Sequence, residues 1–270
     1  MSSKNIKFKS ITDTLVPGIQ SEYDISNATN TLPSNAKKIA VVAQKIAAGT
    51  ATADIPVACF SEEEAITQSG QGSVGHLAIR ALLKSYTNFE LFNVPVDDGA
   101  GVSATGTIVV ANVPTSSGSY DIWIGKELVQ VSVTSGDAVN DIATAINVAI
   151  QAKEHNMAVT SGVSTATVTL TANNDGLLGN NIPISYKNNG ILTTTLTVIQ
   201  TGTVVAGSVD PDITNALAAL EKDNYDIILV ANNDATNLGL LSAHLTAQAL
   251  PEENNPGIGV FGYTGVQATF

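Results

Sequence analysis

The sequence predicts an α/β protein with a mainly parallel sheet, interrupted by a small, β-rich α+β domain. Three observations carry that prediction. Apolar runs at residues 39–43 and 225–230 have the texture of strands buried on both faces. Helical periodicities stand between and after such runs, and this alternation produces parallel sheets. The alternation stops after Val96, gives way to a Thr-, Gly- and Val-rich stretch with strand character, and resumes at Asp210. The division is an N-terminal arm (1–35), a discontinuous α/β domain (36–98 plus 209–270) and an inserted domain (99–208). Connections leave a domain at its surface, so an insert of this size is a projection.

Residues 1–35 are rich in Ser, Asn and Thr, with isolated apolar residues (Ile6, Phe8, Ile11, Leu15, Val16) between the turn signals Pro17-Gly18 and Pro33. The first strand is Ile39-Ala40-Val41-Val42-Ala43. Ser61 with Glu64 three residues on makes a capping box, so a helix starts there and stops before Gly70, its first turn acidic through Glu62, Glu63 and Glu64. A second helix places Val74, Leu77, Ala78, Ala81 and Leu82 on one face. Phe89–Val96 is the second strand, and Pro95 ends it or sets it near an edge.

After the interruption, Asp210-Pro211 has the form of an N-cap followed by a first-turn proline, with Ile213, Leu217 and Leu220 as the buried stripe. Residues 225–230 are the third strand. Asp234 caps a helix with Leu238, Leu241 and Leu245 inward, and residues 257–263 form a fourth strand. The insert shows strand texture at 107–111, 120–124, 128–133, 163–171 and 192–200. One helix, 137–152, points Val139, Ile142, Ile146 and Ile150 at a mainly antiparallel sheet.

Composition narrows the function. The chain has 270 residues, 44% of them hydrophobic and only 13% charged, with a net charge of −12. Its few bases are scattered, apart from Lys4, Lys7, Lys9 and the Lys37-Lys38 pair, which argues against binding a phosphate backbone. The single cysteine, Cys59, excludes an internal disulfide. No apolar run reaches the roughly 18 residues of a membrane span, and no secretory signal is evident. These features suit a soluble chain folded in a cytoplasm.

Catalytic motifs are weak. Gly70-Gln71-Gly72-Ser73-Val74-Gly75 matches the G-x-G-x-x-G fingerprint, but a helix precedes it where a dinucleotide site needs a strand, so a helix-to-helix turn is the better reading. Asp97, Asp98 and Asp234, with Asn232 and Asn233, sit where α/β sheets bind ligands and could hold Mg²⁺; caps and turns use the same residues, and no basic residue stands nearby for an anionic substrate. Cys59 lies in an apolar stretch as a small core hydrophobe. His76, His155 and His244 share no ligand spacing. Asn173-Asn174-Asp175-Gly176 lacks the other ligands of a calcium loop and suits a hairpin turn. No catalytic, cofactor or metal residue is assigned.

Leu15-Val16-Pro17-Gly18, Phe92-Asn93-Val94-Pro95-Val96-Asp97-Asp98 leading into the insert, and Asp210-Pro211-Asp212-Ile213 ahead of Tyr225-Asp226-Ile227-Ile228 appear in a characteristic order. With Leu177-Leu178-Gly179-Asn180-Asn181-Ile182 in the insert, this order resembles the tail sheath proteins of Mu-like contractile-tailed bacteriophages. The resemblance covers nearly the whole chain. It implies a structural virion protein without cofactor or enzymatic activity, assembled in the host cytoplasm into the virion tail. Its subunits would polymerise around the tail tube, meet the baseplate and terminator, and contract to drive the tube through the host envelope, without direct contact to nucleic acid or membrane. It also implies a subtilisin-like α/β domain lacking that enzyme's catalytic residues.

Family members are commonly longer, with a tube-facing C-terminal domain, so this chain is expected to be a fragment, soluble and poor at polymerising. The arm residues Ile6, Phe8, Ile11, Leu15 and Val16 are candidates for pairing with a neighbour's sheet edge, a head-to-tail contact that builds open arrays. Contraction would then be a rigid-body rearrangement of tethered subunits. Two alternatives are a carboxylate-dependent Mg²⁺ hydrolase or phosphotransferase at Asp97, Asp98 and Asp234, and a surface adhesin built on the insert.

Overall fold

The computed structural model describes residues 36–85, 89–190 and 194–262. The chain opens with β1 (Lys37–Gln44), β2 (Val57–Ala58), α1 (Glu62–Ser69), α2 (Val74–Ser85) and β3 (Phe89–Val96). Next come β4 (Ser103–Ala111), β5 (Gly118–Ile124), β6 (Glu127–Val133), α3 (Val139–Gln151), β7 (Val159–Ser164), β8 (Thr167–Asp175), β9 (Ile184–Asn189) and β10 (Thr195–Ile199). The described part closes with α4 (Thr214–Leu220), β11 (Ile227–Val230), α5 (Ala235–Gln248) and β12 (Ile258–Phe261).

A five-stranded sheet takes strands from both ends of the chain, in the order β12-β11-β1-β3-β2. Four strands run parallel and only the two-residue β2 is antiparallel. Ile39 through Ala43 are all buried because the central strand β1 is covered on both faces. Alternation along β1 divides the contacts. Ala40 and Val42 face a core with Ile213, Leu217 and Leu241, whereas Ile39, Val41 and Ala43 face one with Cys59, Ala65 and Ile79. Helices α4 and α5 therefore cover one face and α1 and α2 the other. With seven residues α4 is too short to be stable alone, and its stripe Ile213, Leu217 and Leu220 anchors it.

Residues 99–208 contribute the strands of two antiparallel sheets, β10-β4-β8-β7 and β6-β5-β9, where the sequence suggested one. Both sheets share a core with α3 through Ile108, Ile122, Val131, Ile146, Ile150 and Leu170. Period-2 burial is complete along β4 and β8, as expected of strands with one face inward. The described residues from Lys37 onward pack as one compact unit.

Several elements differ from their sequence-based expectations. The predicted strand 163–171 is a hairpin, β7 and β8, that turns at Thr165, where φ is +53°. Helix α4 begins at Thr214 and not beside Pro211, because the Asp210 carboxylate accepts a hydrogen bond from Leu177 N at 2.6 Å, leaving Asp212 to bond Thr214 N at 2.9 Å. On α2 the buried residues are Gly75, His76 and Ile79, so Leu77 and Ala81 point elsewhere, toward a groove beside β5 and β6. On α5 the buried side includes Asn237, Leu241, His244 and Gln248, with Leu245 partly covered and Leu238 outside that core.

Candidate functional site

The carboxyl end of a parallel sheet is where α/β proteins bind ligands. Here the strand ends are occupied by a polar junction that ties the five-stranded sheet to residues 99–208. In the parallel register Gln44 ends β1 opposite Val96, which places Asp98 just beyond. Gln44, wholly buried, donates from Nε2 to Asp98 Oδ1 at 2.9 Å and to the Asp175 carbonyl at 2.7 Å. Asn174 donates from Nδ2 to the same Asp98 oxygen at 2.8 Å and to Lys45 O at 3.1 Å. Its Oδ1 accepts from Val74 N at 2.9 Å, satisfying a first-turn amide of α2 from a hundred residues away. Burial raises the Asp98 carboxyl above its ordinary value, partly opposed by hydrogen bonds from Asn174, the Asp175 backbone and Gln44.

The fingerprint loop belongs to this junction. Gly70 (φ +87°) and Gly72 (φ +76°) make the turn between α1 and α2, as the helix-to-helix reading requires. Asn173 closes over it, donating from Nδ2 to Gly72 O at 2.9 Å and Met157 O at 3.2 Å. A Cβ on Gly72 would lie 2.5 Å from Asn173 Nδ2. The amides a pyrophosphate would need are already committed: Gly72 N–H to His76 Nδ1 at 3.1 Å, Val74 N–H to Asn174, and His76 N–H to Ser73 Oγ at 3.1 Å. Because His76 Nδ1 accepts, its proton sits on Nε2, which faces Glu62 at 3.5 Å. Burial lowers the His76 pKa, with Glu62 acting in the opposite direction and Arg80 and His155 adding to the fall.

The three carboxylates singled out by sequence have separate partners. Asp97 is exposed and pairs with Lys45 at 3.0 Å, so a base does stand beside it, contrary to the sequence-based expectation. Asp98 is in the junction. Asp234 caps α5, accepting from Asn237 N at 3.0 Å and Asn237 Nδ2 at 2.6 Å. Its charged neighbour is Asp210, whose carboxyl is raised chiefly by burial, opposed by the Leu177 backbone hydrogen bond and reinforced by the nearby Asp234 charge. Among the described residues no group of three or more His, Cys, Asp or Glu is placed to hold a metal ion. Asn232, near Asp234, is fully buried with neither side-chain polar atom hydrogen-bonded.

Cys59 is 1% exposed, and burial pushes its thiol pKa up to about 11. His244 is buried and lowered by desolvation, whereas His155 is exposed. The arm residues Ile6, Phe8, Ile11, Leu15 and Val16 lie outside the described residues. Sequence reasoning missed Gln44 and Asn93 and gave Asn173 and Asn174 to a hairpin turn. Asn173 and Asn174 lie within the last residues of β8 instead of forming a hairpin turn, and their bonds to distant segments explain why. A polar residue closing or interrupting an apolar run, as Gln44 and Asn93 do, was the one available signal. Asn93 donates to Ser69 Oγ at 2.8 Å and to Gln68 Oε1 at 3.1 Å, fastening the end of α1 to β3.

No protein-family model matches the chain. It is 26% identical over 272 aligned residues to the Mu-like prophage FluMu tail sheath protein of Haemophilus influenzae, a match covering 98% of this chain and 55% of that one. Two solved structures are also similar. The sheath tail protein Lin1278 of Listeria innocua is 16% identical with a TM-score of 0.35, over 86% of this chain and 49% of that chain. The sheath tail protein DSY3957 of Desulfitobacterium hafniense is 12% identical with a TM-score of 0.34, over 91% and 52%. The chain spans about half the length of these relatives. Over nearly all of its own length, then, this chain is similar to the tail sheath protein of a Mu-like prophage, as its sequence order suggested.

Proposed function

We propose that this chain forms part of a contractile phage tail sheath subunit, a structural protein that polymerises around the tail tube and contracts to drive it through the host envelope. The observation that carries this reading is the match over 98% of the chain to a Mu-like prophage tail sheath protein. The site geometry supports it. At the ends of β1 and β3, where an α/β enzyme would meet its substrate, Gln44 and Asn174 both bond Asp98, and Asn174 bonds Val74 N, so these groups tie the two parts of the chain together. The reading carries no enzymatic role or cofactor. Its partners are other sheath subunits, the tail tube protein, and the baseplate and terminator, with assembly in the host cytoplasm and residence in the virion tail.

Within this reading, Ile6, Phe8, Ile11, Leu15 and Val16 pair with a neighbouring subunit's sheet edge, which leaves backbone groups free for an added strand. A subtilisin-like arrangement of the α/β part belongs to the same reading, supported by parallel pairing of β3, β1, β11 and β12 with helices on both faces. Antibodies raised against this chain test the function on phage particles by electron microscopy. Labelling along the whole tail, in extended and contracted states, is the expected result; labelling confined to capsid or tail tip overturns the sheath assignment.

A further inference from the structure

A groove of about 600 Å³ lies between α2 and the β5–β6 hairpin. It is lined by apolar Leu77, Met157 and Ile182 and by three cations, Arg80, Lys84 and Lys126. Glu62 pairs with Arg80 at 3.1 Å. Lys84 and Lys126 are exposed, and among the described residues neither forms an ion pair. The only acid in the lining is Glu127. For a chain with 12 basic residues against 24 acidic ones, two unpaired lysines, Lys84 and Lys126, against the single lining acid Glu127 make this apolar groove a local site for an acidic, partly apolar partner.

The molecule carries a matching surface. After α5 the chain makes a turn in which Glu253 N and Asn254 N both donate to Leu250 O, at 3.1 and 2.8 Å. That turn presents Leu250, 49% exposed, beside exposed Glu252 and Glu253. Helix α2 packs on the Ile39 and Val41 side of the five-stranded sheet and α5 on the Ala40 and Val42 side, so groove and turn belong to opposite faces. Phe60 is more exposed, at 74%, and stands beside Glu63 and Glu64. It leads into α1, on the same face as the groove, where reciprocal docking would close a pair.

We propose that the 250–253 turn of one copy docks in this groove of a second copy, with Leu250 against Leu77 and Ile182 and the two glutamates facing Lys84 and Lys126. The inference rests on the sheath reading, which calls for contacts that repeat. Two different surfaces on opposite faces make a heterologous contact, and such contacts propagate into open arrays. Exposed ion pairs contribute little individually, so the contact between isolated copies is weak and salt-sensitive.

Sedimentation velocity of this chain over a concentration series tests the contact, using Lys84→Glu/Lys126→Glu and Glu252→Lys/Glu253→Lys as exposed reversals whose folding is checked by circular dichroism. Each reversal is expected to weaken self-association by about tenfold or more. An equimolar mixture of the two variants regains it, because a reversed groove accepts a reversed turn; Leu250→Ser weakens it without changing charge. The contact is overturned by wild-type chain that stays monomeric up to about 1 mM, by reversals without effect, by a mixture that fails to regain association, or by Phe60→Ser alone abolishing it. None of these outcomes touches the antibody labelling of tails, which decides the sheath reading independently.

Discussion

Asp98 takes two hydrogen bonds on one oxygen, from Gln44 and from Asn174, which an asparagine carbonyl keeps; the Asp175 backbone bonds the carboxyl too, and burial outweighs all three. Burial raises the Asp98 carboxyl above its unfolded value. The sign follows from linkage: the protonated form is favoured in the fold, so the native state binds more protons and stability falls as pH rises through the window above 3.8. Asp98→Asn is therefore expected to be more stable than the parent at neutral pH, with the difference vanishing below the ordinary carboxylate range. Urea denaturation of both chains across that window checks this; a difference independent of pH would assign another role to the carboxylate. Cys59 gives a second expectation at this scale. With a buried thiol at about pKa 11, it should resist iodoacetamide at pH 8 in native chain and react once unfolded.

Elements show most clearly what the sequence discloses. The caps of α1 and α5 were legible because Ser61 and Asp234 act on amides three residues away, at 3.2 and 3.0 Å. Removing the second cap with Asp234→Ala should cost about 1 kcal/mol, read as a lower urea midpoint with an unchanged slope. Asp210 carried the same local signal but bonds across 33 residues to Leu177, and nothing local announces that choice. The hairpin turn at Thr165-Ala166 was read through because it lacks the Gly, Asn or Pro that marks a turn. At the junction, Asn173 and Asn174 resemble turn residues until their partners, a hundred positions away, are known. Gly72→Ala tests that contact: a left-handed backbone costs about 1–2 kcal/mol by itself, and the new Cβ meets Met157 O at 2.8 Å as well as Asn173. A fall in thermal midpoint larger than that of the cap variant is expected.

At the scale of the whole molecule, the question is whether residues 99–208 form an autonomous unit, which we propose they do. Their shared core draws every buried member from residues 108–196, and the two other cores draw none from that range. The segment's ends run side by side, with Val102 and Ser208 exchanging backbone hydrogen bonds at 3.3 and 3.2 Å, so excision leaves a gap that a short linker spans. Against independence stands the polar junction, which packs both parts as one unit. Two intrinsic probes separate these effects, because the only tryptophan, Trp123, lies in β5 and the only cysteine, Cys59, lies in the α/β core. In the intact chain, Trp123 fluorescence and pulsed alkylation of Cys59 should report coincident urea transitions. Asn174→Ala removes three of the junction's hydrogen bonds, each worth about 0.5–1.5 kcal/mol net, and should pull the two midpoints apart. Residues 99–208 expressed alone should keep a cooperative Trp123 transition at a lower urea concentration. A featureless, non-cooperative signal from that segment would mean that its core depends on the five-stranded sheet, and that the interruption of the α/β pattern is a single folding unit with its host.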